Sequence, residues 1–90
     1  MRKNEGAGEV LGNVLKDFRL SQRLSQEELA FRAGVDRAFL SRVERGERSP
    51  SFDTLFSLSR ALGISLTQLS QNIESRLGLL NEKDYPRQGS

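Results

Sequence analysis

LSQEELAFRAGVDRAFLSRVERG, residues 24–46, reads as two short helices joined by a tight turn. Ser25 followed three residues later by Glu28 is a capping box. The hydroxyl accepts from a free amide of the first helical turn while the carboxylate reaches back to the amide of the cap. A helix is therefore expected from Gln26, with Leu29, Ala30 and Ala33 along one apolar stripe. Gly34 stops it, because a residue without a β-carbon takes the left-handed conformation at no steric cost. Asp36 caps a second helix that ends at Gly46. With so few residues between them the two helices must meet at a steep angle, and Ala30 is small where they approach.

The faces of the second helix carry the chemistry. At about 100° per residue, Leu40 and Val43 point one way, with Val35 entering from the turn. Ala38, Ser41, Arg42 and Arg45 point the other way, and Arg37 flanks them. Arginine presents a planar fork of donors that fits phosphate oxygens or the O6 and N7 edge of guanine. Alanine beside it leaves room for close approach and can touch a thymine methyl. On a lone helix such a face is more often simply solvated. The tight turn and the outward arginines together favour a surface for nucleic acid.

Residues 24–69 resemble the Cro and repressor helix-turn-helix family, the lambda-repressor-like fold of the XRE type. The matching pieces are SQEELA from Ser25, AGV from Ala33, LSRVERG from Leu40, RSPSFDTL from Arg48 and ALGISLTQL from Ala61. With a first helix added from about Leu11, the resemblance covers about two-thirds of the chain. It implies an all-α, compact five-helix domain with the helix-turn-helix at helices 2 and 3. It also implies that helix 2 crosses the phosphate backbone and helix 3 enters the major groove of double-stranded DNA.

On that resemblance, base reading falls to Arg37, Ala38, Ser41 and Arg42, near the start of the recognition helix, with Arg37 and Arg42 as candidates for guanine. Either arginine can instead hold phosphate. Gln26 matches the family position that contacts phosphate and braces the recognition helix; the alternative is a solvated helix-start glutamine. Arg23, Arg45, Arg48, Ser49 and Ser51 are assigned to the backbone, helped by free amides at the next helix start. Phe39 is given a mixed role, at the rim of the core and against a sugar or thymine methyl. Phe31 is expected to be a partly buried cover residue. Arg19 and Glu44 are expected to form a structural ion pair, the alternative being that both are solvated or touch phosphate.

Ninety residues fit one domain with a small core. No stretch approaches the ~20 apolar residues of a membrane span, and the N-terminus lacks the apolar run of a signal peptide. A cytoplasmic protein is expected. Cysteine and histidine are both absent, which removes disulfides, the usual zinc ligands and the commonest general base. No metal, cofactor or enzymatic activity is expected. The formal net charge is only +2, so distribution matters more than sum. Arg37, Arg42, Arg45 and Arg48 fall on or just after the recognition helix, partly offset by Glu44 and Glu47, a basic patch suited to one face of DNA.

Residues 1–8, with two glycines and few apolar groups, are expected to form a flexible arm, with Arg2 and Lys3 able to reach a minor groove. The first helix is expected over residues 9–22, with Leu11, Leu15 and Phe18 on one face, Val14 beside them and Leu24 closing the corner. Ser51 should cap a fourth helix through Leu62, burying Leu55, Leu58 and Leu62 with Phe52 at its start, and Gly63 should end it. Ser65 with Gln68 is a second capping box that opens the fifth helix. Leu66, Leu69, Ile73, Leu77 and Leu80 continue at spacings of three and four, so the domain is drawn over residues 9–77, with residues 78–90 a flexible tail. Ile73 and Leu77 extend beyond what a minimal domain covers. They are assigned to a homodimer contact, against the alternative of a stub joining a second domain.

The expected function is sequence-specific binding of double-stranded DNA to regulate transcription, as a repressor on an inverted-repeat operator. Small members of the family include phage-type repressors and the controller proteins of restriction-modification systems, and VDRAFLS, residues 35–41, is similar to the latter. The alternatives are a protein-binding module such as an antitoxin, with Phe31, Ile73 and Leu77 as its contact surface, or the DNA-binding domain of a larger regulator.

Overall fold

Local hydrogen bonds encoded within four residues of sequence set most helix boundaries. The computed structural model describes residues 5–78 and contains five helices: α1 (Glu5–Ser21), α2 (Gln26–Ala33), α3 (Arg37–Glu44), α4 (Phe52–Ala61) and α5 (Leu66–Arg76). Among the described residues there is no strand. Both capping boxes are formed: Ser25 Oγ accepts from Glu28 N at 3.0 Å while Glu28 Oε1 accepts from Ser25 N at 2.7 Å, and Ser65 and Gln68 repeat the arrangement on α5. Asp36 and Ser51 cap α3 and α4 through their side-chain oxygens. Helix α5 stops where Gly78 takes a left-handed φ of 75°, and Leu80 lies outside the described residues.

The core is a single aliphatic cluster drawn from every helix. Val14 and Leu15 of α1, Leu29 and Ala30 of α2, Leu40 and Val43 of α3, Leu58 of α4 and Leu69 of α5 meet there, with Leu24 and Leu62 from the corners. Burying a side chain of this size contributes roughly 1.5 to 3 kcal/mol. Three polar links tie the periphery together. Gln22 Nε2 donates to Leu62 O at 2.7 Å, Arg76 Nη1 lies 2.8 Å from Asp17 Oδ2, and Ser59, itself buried, donates to Phe56 O at 2.8 Å.

Three features differ from the sequence-based expectations. Helix α1 starts at Glu5 rather than residue 9, so residues 5–8 belong to the helix and not to the arm. Its first turns lie near the rest of the molecule: a Cβ on Gly6 would stand 3.7 Å from Leu77 Cδ2 and one on Gly8 4.0 Å from Gly46 O, ordinary contact distances that do not require glycine. Gly12 is tighter still. A Cβ there would overlap Glu44 O and lie 2.5 Å from Val43 O, so α1 crosses the end of α3 at backbone contact. Phe31 is 86% exposed and Phe52 69% exposed, where both were expected to be at least partly covered. The stripe of α2 turns Leu29 and Ala30 inward, which leaves Phe31 outward, and Phe52, the first residue of α4, is left uncovered by the fold. No helix among the described residues is long and apolar enough to cross a membrane.

Candidate nucleic-acid interface

Only residues 34–36 separate α2 from α3. Gly34 takes φ 74°, which turns its N–H back to Ala30 O and Phe31 O, and Val35 N also donates to Ala30 O at 3.0 Å. The chain thus leaves α2 through a left-handed cap and enters α3 at once, with Asp36 Oδ1 accepting from Phe39 N at 2.8 Å. On α3, Leu40 and Val43 are fully buried. Arg37, Ala38, Arg42 and Arg45 are exposed, and Ser41 is half-buried between them. The helix therefore presents its arginines to solvent with an apolar back fixed in the core.

Behind that face lies a buried ion pair. Arg19 Nε donates to Glu44 Oε2 at 2.7 Å and Nη2 donates to Oε1 at 2.9 Å, while Nη1 donates to Leu24 O at 2.8 Å. Arg19 is 7% exposed and Glu44 6%, so both charges are taken out of water and each needs the other. Gln26 Nε2 donates to Glu44 Oε1 at 2.9 Å, and Gln26 Oε1 in turn accepts from Arg37 Nη1 at 3.4 Å. The chain of contacts runs from α1 through α3 to the start of α2 and out to the first residue of α3. No buried side-chain nitrogen or oxygen among the described residues lacks a partner.

The remaining expected site residues surround α3. Arg45 is engaged within the protein, with Nε 3.0 Å from Glu47 Oε2, Nη2 3.1 Å from Oε1 and Nη1 donating to Ser41 Oγ at 2.5 Å. The hydrogen bonds from Arg45 hold the Glu47 carboxyl below its ordinary range, and the same contacts raise the Arg45 guanidinium. Arg48 stacks on Phe39, its Cζ 5.5 Å from the ring centre, a geometry that attracts a cation to the ring face. Phe39 is half-buried against the core. Ser49 is exposed in the loop before α4, and Ser51 Oγ is occupied by Thr54 N at 3.1 Å. Arg23 is exposed at the α1–α2 corner with φ 59°, a left-handed conformation that costs a non-glycine residue roughly 1 to 2 kcal/mol. Gly12 and the Arg48 stack had no signal in the local sequence, because each depends on a partner placed by the fold, and the Arg45–Glu47 pairing had only its spacing of two.

Ile73 and Leu77 lie away from this face. Ile73 packs in part on the core, and Leu77 lies near the start of α1, so both are half-buried within the single chain.

Two consecutive helices set by a short turn, the second anchored by aliphatic residues and open on an arginine-rich side, define a helix-turn-helix DNA-binding domain. A family model described as helix-turn-helix matches residues 15–69, and the chain belongs to that family, in its XRE type. It is similar to the control protein C.SmaI of Serratia marcescens, with 37% identity over 75 residues, 83% of this chain and 84% of that protein. Among solved structures it is similar to the restriction-modification controller protein C.AhdI of Aeromonas hydrophila, with 39% identity, a TM-score of 0.66, and coverage of 68% of this chain and 92% of the other. The clp gene regulator ClgR of Corynebacterium glutamicum is similar at 32% identity and a TM-score of 0.77, over 81% of this chain and 78% of that one. The protein is a DNA-binding transcription regulator of the helix-turn-helix type, not an enzyme.

Proposed function

We propose that the protein is a repressor of the controller-protein kind, which binds an inverted-repeat operator as a homodimer with α3 of each protomer in the major groove. The observation that carries this reading is the division of α3 into a fully buried back, Leu40 and Val43, and an open side bearing Arg37, Ala38, Ser41 and Arg42. These four residues read base edges. The Arg42 side chain is exposed on that face, where its fork can meet guanine O6 and N7. Arg37 reaches out from Gln26, which couples its position to the buried Arg19–Glu44 pair.

Gln26, Arg23, Arg45, Arg48, Ser49 and Ser51 hold the phosphate backbone, and Phe39 with Arg48 stacked on it covers a sugar edge. Amide groups at the start of α4 add donors for phosphate. The open sides of Ile73 and Leu77 form the dimer contact, and the operator carries half-sites one helical turn apart, ~10 bp centre to centre. Similarity to a control protein and to a restriction-modification controller protein supports a regulator of that kind. Selection from a random duplex library, followed by footprinting at two salt concentrations, tests the reading. It is expected to return a palindromic site with the two protected grooves on one side of the duplex. Protection without sequence preference would refute it.

A further inference from the structure

Ser41 and Arg42 share the proposed base-reading face, but a serine hydroxyl both donates and accepts and by itself discriminates bases poorly. Here one of its two acceptor lone pairs is taken. Arg45, one turn further along α3, donates from Nη1 into Ser41 Oγ at 2.5 Å. The same guanidinium is clamped from its other edge by both carboxylate oxygens of Glu47, at 3.0 and 3.1 Å. The Ser41 hydroxyl donates to none of the described residues, unlike those of Ser21 and Ser59, which donate to carbonyls a turn back.

We infer that Glu47, acting through Arg45, biases Ser41 toward donating and so makes it favour a base that offers an acceptor in the major groove. With a cation against its lone pairs, Ser41 Oγ repels the amino hydrogens of a facing cytosine N4. Its O–H remains free for N7 or O6 of a purine or for O4 of thymine. Glu47 is a positioning residue in this scheme. It touches no base, and it holds Arg45 against Ser41, while the second hydrogens of Nη1 and Nη2 stay open to phosphate. Both partners of the Arg45–Glu47 pair are about half exposed, so the pair contributes little to folding and its loss leaves the domain intact. The inference rests on the proposed placement of α3 in the major groove and adds to it the chemical class of base read at one position.

The test compares relative affinities of the full chain for the selected operator and for duplexes carrying each of the four base pairs at every half-site position. Wild type and the variants Ser41→Ala, Arg45→Ala and Glu47→Ala are measured, with the melting temperature recorded for each. Ser41→Ala is expected to flatten the profile at one position. Arg45→Ala and Glu47→Ala are expected to raise the relative affinity for cytosine at that same position by about threefold or more, whatever they do to binding overall. Ser41→Ala flattening the profile while the other two leave it unchanged overturns the inference and leaves base reading by Ser41 standing. A profile indifferent to Ser41→Ala overturns both.

Discussion

Arg42 and Arg48 carry the same charge in different roles, and substitution separates them. Arg42→Ala is expected to cost ~1 to 3 kcal/mol on the operator and to relax preference at one base pair, read by affinities for single-base operator variants. Arg48, stacked on Phe39, has its side chain committed to the ring face. Arg48→Ala is expected to weaken all duplexes alike and to lower the slope of log affinity against log salt by about one, read by titrations at several salt concentrations. Inside the protein the charges behave differently. Glu44 is buried, accepts from Arg19 and Gln26, and has no water to fall back on. Glu44→Ala is expected to destabilise the fold by ~3 to 5 kcal/mol, because Arg19 is left as an uncompensated buried charge. Unchanged thermal stability of that variant would contradict a structural role for the pair.

At the scale of the helix, local chemistry was readable in advance and long-range contact was not. Ser25 with Glu28, Asp36, Ser65 with Gln68, and Gly34 each act through hydrogen bonds or a backbone angle within a few residues, so the sequence itself specifies them. Gly12 shows the limit. Its lack of a side chain matters only because α3 ends against it, and Gly12→Ala is expected to unfold the domain at lower temperature by forcing α1 off Val43 and Glu44. Phe31 was misread for a related reason: helical periodicity separates inward from outward positions, but whether a flanking aromatic is covered depends on what the fold lays beside it. The Arg45–Glu47 clamp lay in plain sight at a spacing of two, yet two residues leaving a helix end face each other only once the Gly46 turn is made.

The α2 capping box also gives the element a pH signature. Hydrogen bonds from the Ser25 backbone and side chain hold the Glu28 carboxyl below its ordinary value of 4.5. A lowered folded value means the carboxylate stabilises the fold above about pH 4.5 and loses that effect as pH falls through the folded value. The difference in melting temperature between wild type and Glu28→Ala is therefore expected to be present at pH 7 and to shrink on acidification.

For the whole molecule, five helices close one core and leave two separate surfaces open: the arginine face of α3 and the partly exposed end of α5. The fold class was legible because five helical segments, four of them opened by their own cap, follow one another with short connections. The extent of α1 was not, since residues 5–8, with two glycines, carry no local helix signal, although the fold lays them near Gly46 and Leu77. If the α5 end joins two protomers, sedimentation equilibrium gives twice the chain mass of 10.1 kDa. A single-chain mass at high concentration would contradict the dimer while leaving the DNA-binding face untouched.

The most direct measurement is the ratio of affinities for the selected operator and for a scrambled duplex of the same composition, at one salt concentration, for wild type and Arg42→Ala. The expected result is a wild-type ratio of ~10³ or more, which falls by about tenfold or more in the variant. A wild-type ratio near one, or a ratio that Arg42→Ala leaves unchanged, would contradict base reading by the open side of α3.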